Sequence, residues 1–328
     1  MTIAFCCTKN WYIHLYTIIY ALFKYNKVEK IYLFIEDDEI SYLKNDKIEF
    51  INVNKIPKII KETSPNYNTH YSKMSYVRCY FTKILKDDKI LYLDVDTLVV
   101  DNIQELWNID LEDNVIAGVH ESGEWNKYLN TYGLDDTYIN SGVLLMDLKK
   151  IREEKLDNSM IYLLNNNKYA FPDQDVINLV CRNRIHQLSN IYNSSETTGI
   201  VDNAKILHYI RGNKGWIQSS PRSDTWFKYH EEMLGDDNMY KVRALINFDD
   251  TRVQDDNGKN IKRIANQSEW EVDKDRYLFL KEHNAVELIE VIPEVITEEN
   301  VARKIEEIEK SAKEEVKKTS KKSTKKVK

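Results

Sequence analysis

Glycine-rich loops that hold phosphate groups are missing from this sequence. Neither a GxGxxG nor a GxxxxGKS/T pattern occurs, and the 328 residues include only 9 glycines and 5 prolines. This absence argues against a dinucleotide-binding Rossmann protein and against a P-loop nucleotidase, both of which surround phosphate with backbone N–H groups. A nucleotide bound by this chain would need another counter-charge for its phosphates, such as a metal ion.

Long hydrophobic runs and an excess of positive charge are also absent. No apolar stretch approaches the roughly 20 residues that would span a bilayer, and residues 2–7 lack the basic leader and the cleavage site of a secretion signal. The formal net charge is −6, so the chain as a whole lacks the basic balance that nucleic-acid binding needs. We therefore expect neither a transmembrane segment nor a nucleic-acid partner.

Cysteine is limited to four residues, and no CxxC pair suggests a zinc site. The adjacent Cys6 and Cys7 should point to opposite faces of a strand. We expect these two, together with Cys79 and Cys181, to be reduced and mostly buried thiols of a cytoplasmic protein.

Strand-like and helix-like segments alternate as far as about residue 230. In the first helical segment, apolar residues such as Leu15, Ile18 and Leu22 recur at helical spacing. This alternation is typical of an α/β fold, with a largely parallel sheet covered by helices on both faces. The expected strands are 3–7, 31–35, 48–53, 90–100, 115–119, 141–147 and 204–209, and the expected helices are 12–25, 72–85, 149–165 and 175–182.

The sequence pattern changes after residue 235 and divides the chain into three parts. Residues 1–235 form the expected α/β domain, and residues 240–292 are predicted to form a small β-rich accessory module. Residues 293–328 are a charged, Lys-rich tail, helical at first and then solvated and disordered. The tail either keeps the protein soluble or makes weak contact with an anionic surface at the membrane periphery. The expected elements of the module are strands at 240–248, 270–272 and 286–292 and a helix at 274–283.

Two carboxylates interrupt the apolar segment 90–100. If the strand is continuous, Asp94 and Asp96 point the same way, because side chains alternate along a strand. Buried carboxylates are unfavourable unless they are neutralised, and their hard oxygen ligands suit Mg²⁺ or Mn²⁺. The alternative is that the strand ends at Asp94 and that both aspartates are exposed in a turn.

A third metal ligand is suggested by His208, which lies at the end of an apolar strand. The ends of strands in an α/β sheet converge on one crevice, where His208 could meet Asp94 and Asp96. A mixed set of carboxylates and imidazole favours Mn²⁺ over Mg²⁺. Lys214 and the backbone of Gly212 follow the strand and could hold phosphate oxygens. Alternatively, His208 is an ordinary core or surface histidine.

Five blocks in the expected order resemble the family 8 glycosyltransferases, the group that contains glycogenin and bacterial lipooligosaccharide galactosyltransferases. The resemblance covers residues 1 to about 232 and implies a GT-A fold, which is a Rossmann-like mixed sheet flanked by helices. The blocks are Tyr76-Val77-Arg78, Leu91-Tyr92-Leu93-Asp94-Val95-Asp96, Tyr138-Ile139-Asn140-Ser141-Gly142-Val143, Phe171-Pro172-Asp173-Gln174-Asp175 and the segment 206–216.

The resemblance implies roles for individual residues. It gives Asp94, Asp96 and His208 as ligands of Mn²⁺, with Mg²⁺ as a substitute, and it gives Gln174 and Asp173 as catalytic residues. Tyr12 is placed to stack on the base of the nucleotide. The residues implied in binding the donor are Thr8, Asn10, Tyr12, Arg78, Asp94, Val95, Asn140, Asp173, Gly212 and Lys214.

Two departures from the family pattern and three simpler interpretations stay open at this point. Asn10 stands where an aspartate is usual, which weakens the expectation for base recognition. Gly215 replaces a proline, which could loosen the loop that closes on the donor. Arg78 could instead pair with a carboxylate on its own helix, Asn140 could belong to a simple turn, and residues 173–174 could be a helix N-cap.

The resemblance implies a retaining hexosyltransferase that uses UDP-glucose or UDP-galactose. A double displacement needs a carboxylate nucleophile beneath the anomeric carbon, but the matching position holds Gln174. We therefore expect a front-face substitution, in which the acceptor attacks from the side that UDP leaves. The acceptor is a glycan, a glycolipid or a protein hydroxyl. Two alternatives are a glycan-binding or structural protein with a catalytically weak fold, and a UDP-sugar hydrolase.

Overall fold

The structure is a computed structural model of the chain. It describes residues 1–57, 60–69, 71–121, 132–134, 137–234, 239–254 and 258–292. The five sequence blocks that resemble family 8 fall within these ranges. The predicted tail at 293–328 lies outside the described residues.

Nine strands precede residue 220 in the part of the chain that the structure describes. Seven of them form one sheet, and two pair with each other. The seven are β1 (Thr2–Cys6), β2 (Lys30–Ile35), β3 (Ile48–Asn52), β4 (Lys89–Leu93), β6 (Ile116–Val119), β7 (Val143–Asp147) and β8 (Ile185–Leu188), and the two are β5 (Thr97–Val99) and β9 (Ile206–His208).

The seven-stranded sheet is mixed, as predicted, with the order β3-β2-β1-β4-β7-β6-β8. The pairs β1–β2, β1–β4, β2–β3 and β6–β8 are parallel. Only β7 is reversed among these strands, because it runs antiparallel to both β4 and β6. Strand β8 was not predicted, because His186 and Gln187 give it little of the apolar character by which strands are recognised.

Helices pack on both faces of this sheet. Ile3, Phe5 and Cys7 belong to the core cluster that contains α1 and α8 residues, whereas Ala4 and Cys6 belong to the cluster that contains α3, α6 and α7 residues. The predicted opposite orientation of the two adjacent cysteines is therefore confirmed. The helices are α1 (Tyr12–Tyr25), α2 (Lys73–Tyr76), α3 (Phe81–Ile84), α4 (Gln104–Trp107), α5 (Leu148–Glu153), α6 (Leu156–Asn166), α7 (Pro172–Val180) and α8 (Ser223–Leu234).

The predicted continuous strand at 90–100 is wrong. β4 ends at Leu93 and β5 begins at Thr97, so Asp94 and Asp96 lie in a turn. The turn is closed by Thr97, whose backbone N–H and hydroxyl both donate to the carbonyl oxygen of Asp94, at 3.0 and 2.7 Å. As a result β4 pairs with β7 and β5 pairs with β9. The alternative prediction of a turn is right about where the two aspartates lie. It is wrong that both are exposed, because Asp96 is only 9% exposed.

Two predicted helices are interrupted. The segment 72–85 consists of α2, a 3-10 turn over Val77–Tyr80, and α3. The segment 149–165 is divided between α5 and α6 at Lys155, whose φ of 58° is left-handed and cannot continue a helix. Helix α7 begins at Pro172, earlier than predicted, because proline is well suited to the first helical position.

A second β-rich region follows residue 238. β10, β13 and β14 form an antiparallel three-stranded sheet, and β11 and β12 form a hairpin that the sequence analysis missed. The predicted strand 240–248 is wrong in extent, because β10 ends at Ala244. Val242, Val272 and Leu280 centre a separate hydrophobic cluster. The elements are β10 (Met239–Ala244), β11 (Phe248–Gln254), β12 (Asn260–Arg263), β13 (Glu269–Val272), α9 (Lys274–Glu282) and β14 (Val286–Ile292).

Candidate functional site

The turn between β4 and β5 brings the three predicted metal ligands together. His208 ends β9 and pairs with Thr97 of β5, directly after the turn that carries Asp94 and Asp96. Ligand atoms of the three residues lie within 4.8 Å of one another. The Nε2 atom of His208 is 3.3 Å from Oδ1 of Asp96 and 3.8 Å from Oδ2 of Asp94.

The donor set and the space around it fit a divalent cation. Two carboxylates and one imidazole suit Mn²⁺ and other first-row ions. Gly142 leaves the room that these side chains occupy, because a Cβ atom there would lie 2.2 Å from Cε1 of His208 and 2.9 Å from Oδ2 of Asp94. The glycine of the third sequence block is therefore required by the site.

Asp96 is buried and carries a negative charge. Burial alone would raise the pKa of its carboxyl, but the nearby His208 and Lys214 outweigh burial and hold the pKa well below its ordinary value. Lys214 Nζ lies 2.5 Å from Oδ2 of Asp96 and also donates to the carbonyl oxygen of Tyr209 at 3.1 Å. The lysine that we expect to hold the diphosphate thus neutralises a candidate metal ligand in this structure.

Arg78 and Tyr92 hold Asp94. The Arg78 guanidinium donates from Nη2 to Oδ1 of Asp94 at 2.8 Å and lies 4.2 Å from the centre of the Tyr92 ring. The Tyr92 hydroxyl donates to the same carboxylate oxygen. Arg78 Nε is also 3.4 Å from Oδ2 of Asp173. Arg78 therefore pairs with carboxylates of other elements, and the interpretation as an ion pair within its own helix is wrong.

Helix α7 contributes Asp173 and Gln174. The helix N-cap is Phe171, so the interpretation of residues 173–174 as a cap is wrong. Burial raises the pKa of the Asp173 carboxyl even though Arg78 lies beside it. The Gln174 amide is held at both ends, because Oε1 accepts from the Ser141 N–H at 2.9 Å and Nε2 donates to Glu121 at 2.6 Å.

The third sequence block is both a turn and a part of the site. Asn140 accepts the Gly142 N–H with its own Oδ1 at 2.9 Å, which is an Asx turn at the start of β7. Its Nδ2 atom is 3.3 Å from the same Glu121 oxygen that Gln174 contacts. Glu121 was missed by the sequence analysis. Its position just after the end of β6 could have indicated a site residue, because strand ends converge on one crevice.

The predicted base-binding segment contributes Thr8 and Trp11 to a cavity, while Tyr12 is buried. The Tyr12 hydroxyl accepts the Glu36 N–H at 2.7 Å, and burial raises its pKa to about 12. Asn10 is exposed. Stacking of Tyr12 on a base stays a prediction.

The segment after His208 is packed on aromatic rings. A Cβ atom at Gly215 would lie 2.6 Å from the Trp226 ring, which explains why glycine stands where the family has proline. Trp216 stacks on His14 with ring centres 3.9 Å apart and meets Trp11 edge-on. These contacts do not fit the expectation that Gly215 loosens the loop. Gly212, by contrast, has open space around its Cα.

Five of the ten predicted donor-binding residues and two of the three predicted metal ligands, Asp94 and Asp96, line one cavity of 490 Å³, a size suited to a small ligand. It is lined by charged groups of both signs and by aromatic rings. Of the predicted donor-binding residues, Asn10, Tyr12, Asn140, Asp173 and Gly212 are not among its described lining. The described lining is Cys6, Thr8, Trp11, Tyr71, Ser72, Met74, Ser75, Arg78, Tyr92, Asp94, Val95, Asp96, Arg211 and Lys214.

Sequence comparison supports the family resemblance that the site residues carry. Residues 2–220 match the family described as "Glycosyl transferase family 8". A Haemophilus influenzae protein named "Putative glycosyltransferase" is 32% identical over 169 residues, which are 46% of this chain and 51% of that protein. The Escherichia coli K12 lipopolysaccharide 1,2-glucosyltransferase is 28% identical over 168 residues, 44% of this chain and 50% of the enzyme. The chain thus spans about half the length of these relatives.

Structure comparison identifies the fold. A crystal structure of the galactosyltransferase LgtC with donor and acceptor sugar analogues superposes with a TM-score of 0.55 and 22% identity. The superposition covers 70% of this chain and 95% of LgtC. The expected GT-A type fold is therefore confirmed. Among the described residues, the structure contains no helix of the length and apolar character needed to cross a membrane.

Proposed function

The chain belongs to glycosyl transferase family 8, and from that premise we propose that it moves a hexose from a UDP-sugar to a hydroxyl group with retention of the anomeric configuration. Glycosyl transfer itself follows from the family. One observation carries the finer proposal: Asp94, Asp96 and His208 converge where Arg78 and Lys214 line the same cavity. A diphosphate needs this kind of counter-charge in a chain without a glycine-rich loop.

Asp94, Asp96 and His208 would hold a divalent cation, for which we propose Mn²⁺ with Mg²⁺ as a substitute. When bound, this ion supplies electrostatic stabilisation of the charge that develops on the departing UDP. Lys214 lines the same cavity and would serve the donor when it is not paired with Asp96. Its ammonium and the open Gly212 backbone would hold the diphosphate oxygens.

The hexose would lie against Arg78, Asn140 and Asp173, with Gln174 beneath it. Because Gln174 is an amide whose oxygen already accepts the Ser141 N–H, it is a poor nucleophile, which supports front-face substitution. In that step the bond between the anomeric carbon and the phosphate oxygen breaks while the bond to the acceptor oxygen forms. The acceptor proton passes to the departing phosphate oxygen, so no separate base is required.

The donor and acceptor are proposed as classes. UDP-glucose or UDP-galactose is the proposed donor, in keeping with a relative named as a glucosyltransferase and a fold neighbour named as a galactosyltransferase. The acceptor would be the hydroxyl of a glycan, a glycolipid or a protein. We further propose that residues 1–235 are the catalytic domain and that residues 240–292 are an accessory module, supported by the separate hydrophobic cluster around Val242.

A screen of UDP-sugars for UDP release, with Mn²⁺ and with a chelator, tests this proposal. We expect Mn²⁺-dependent turnover of UDP-glucose or UDP-galactose. Asp96→Asn should lower it at least about 100-fold, because several kcal/mol of charge stabilisation are lost. Asp101→Asn, at an exposed aspartate, is the matched control. Full turnover in Asp96→Asn would contradict the metal assignment, and UDP release that no acceptor accelerates would identify a hydrolase instead.

A further inference from the structure

A buried asparagine that belongs to none of the five sequence blocks lies between two of them in space. Asn193 is 0% exposed and follows a 3-10 turn, Asn190–Tyr192. The next residue, Ser194, is fixed to β9, since its N–H donates to Ile206 at 2.9 Å and its carbonyl oxygen accepts from the His208 N–H at 3.0 Å. The backbone that presents Asn193 is therefore tied to the strand that carries His208.

One backbone donor determines the orientations of the Asn140, Asn193 and His208 side chains. The Gly142 N–H donates at 2.9 Å to one end of the Asn140 amide, so that end is the oxygen. Asn193 approaches the same oxygen at 2.9 Å and must present its NH₂ group there. The Asn193 oxygen then faces Nδ1 of His208 at 2.9 Å, and this contact is a hydrogen bond only if Nδ1 carries the proton.

The opposite ring nitrogen of His208 faces the candidate metal ligands. With the proton fixed on Nδ1, Nε2 is the nitrogen left to serve the metal, and it lies 3.3 Å from Asp96 Oδ1 and 3.8 Å from Asp94 Oδ2. A metal-binding histidine needs its tautomer and ring orientation fixed by a partner on the other nitrogen. We propose that Asn193 is a positioning residue that fixes His208 for the metal and, with its NH₂ group, orients the donor-contacting Asn140.

The Asn193 side chain is not needed to hold its own loop. Arg222 donates to the Ser194 carbonyl oxygen at 2.9 Å, and the Thr198 hydroxyl donates to the backbone oxygen of Asn193. Ser195 N–H donates to the Thr198 hydroxyl at 3.0 Å. The loop therefore has anchors of its own, and both ends of the Asn193 amide are directed to the site.

The inference rests on the proposed function for its metal, and it is tested by two substitutions with different chemistry. Asn193→Leu removes both hydrogen bonds and should weaken Mn²⁺ binding about 10- to 100-fold. Asn193→Asp keeps an acceptor for the His208 Nδ1 proton but loses the donor to Asn140. It should bind Mn²⁺ within a few-fold of the wild type and show a raised KM for the UDP-sugar.

The measurements are Mn²⁺ affinity by electron paramagnetic resonance without donor, and ¹⁵N NMR of labelled histidine in the metal-free protein. The NMR signal of His208 should show a proton on Nδ1 in the wild type and a shift toward the other tautomer in Asn193→Leu. Asn66→Leu is the matched control, because Asn66 is also 0% exposed and its side-chain hydrogen bonds among the described residues are to backbone at Leu164, Asn167 and Tyr169. It should lower thermal stability and leave Mn²⁺ affinity unchanged.

The outcomes separate this inference from the proposed function. Wild-type protein without Mn²⁺ affinity would contradict the proposed metal, while the tautomer measurement would still test Asn193. Unchanged Mn²⁺ affinity and an unchanged tautomer in Asn193→Leu would overturn the positioning role. Equal losses of Mn²⁺ affinity in Asn193→Leu, Asn193→Asp and Asn66→Leu would also overturn it, because they would indicate a general loss of structure.

Discussion

Buried partners orient the candidate metal ligands before any ion binds. Asp94 accepts from Arg78 at 2.8 Å, and His208 contacts Asn193 at 2.9 Å. Contacts of this kind fix ligand geometry and raise affinity in metal sites. Buried charges also need such partners for stability, so the same side chains support both the fold and the proposed chemistry.

Gln174 allows a test of the proposed front-face step. Gln174→Glu would place a second carboxylate against Glu121, which is 2.6 Å from the amide in this structure. We expect turnover to fall at least about tenfold because two close carboxylates repel and share a proton, and intact-mass analysis with donor should show no covalent adduct. Gln187→Glu, at an exposed glutamine, is the control and should change neither. A stable glycosyl adduct on Gln174→Glu would favour double displacement.

The three ligands were predictable from the sequence, but their supporting residues were not. Asp94, Asp96 and His208 each follow or end an apolar segment, and strand ends converge in α/β sheets. Glu121 also follows a strand end, but nothing in the sequence pairs it with Gln174, and Asn193 carries no such signal. Glu121 is 53 residues from Gln174, and Asn193 is 53 residues from Asn140, so only the folded chain reveals their contacts.

At the scale of elements, the turn between β4 and β5 decides the geometry of the site. The apolar run 90–100 predicted one strand, but Thr97 closes a turn on the carbonyl oxygen of Asp94. Alternation along a strand is therefore not what brings Asp94 and Asp96 together. Local hydrogen bonding by threonine competes with strand extension. The spacing of apolar residues does not show this competition, so it could not predict the turn.

The turn at the start of β7 gives a second test. Gly142→Ala should abolish Mn²⁺ binding, because its Cβ would lie 2.2 Å from the His208 ring and push it from the carboxylates. Gly212→Ala is the matched control, since among the described residues no heavy atom beyond its own and its chain neighbours' lies within 4 Å of its Cβ position, and its backbone N–H is kept. Titration of both variants with Mn²⁺ separates them. Equal affinities would contradict the packing argument.

Two histidines at the contact between α1 and α8, His14 and His230, should make the stability of the fold depend on pH. Burial lowers the pKa of His14 and of His230 to about 4, whereas both titrate near their ordinary 6.5 in the unfolded chain. The unfolded chain therefore binds more protons between these values, so the free energy of unfolding should fall as pH falls through this window. The slope is at most about 1.4 kcal/mol per pH unit for each proton.

Urea unfolding at a series of pH values measures this slope. His14→Phe keeps an aromatic ring on Trp216, which stacks on His14 at 3.9 Å, but it removes one titrating group. The variant should lose less stability than the wild type between neutral and mildly acidic pH. An identical pH dependence would show that His14 does not contribute.

At the scale of the whole molecule, the proposed boundary after α8 separates two hydrophobic cores. Trp226 and Met233 of α8 belong to the core cluster of the large sheet, while Val242 and Val272 belong to another cluster. A fragment of residues 1–234 should therefore fold with a thermal transition close to that of the full chain and keep its UDP-sugar turnover. Circular dichroism melting and the UDP-release assay measure these properties. An unfolded fragment would contradict the proposed domain division.

Asp94, Asp96 and His208 are proposed to hold together the cation that binds the UDP leaving group. The most direct test is anomalous X-ray diffraction at the manganese edge from crystals grown with MnCl₂ and UDP. We expect one strong peak within bonding distance of ligand atoms from all three residues, adjacent to the diphosphate. A structure with UDP bound in this cavity and no manganese peak between these residues would contradict it.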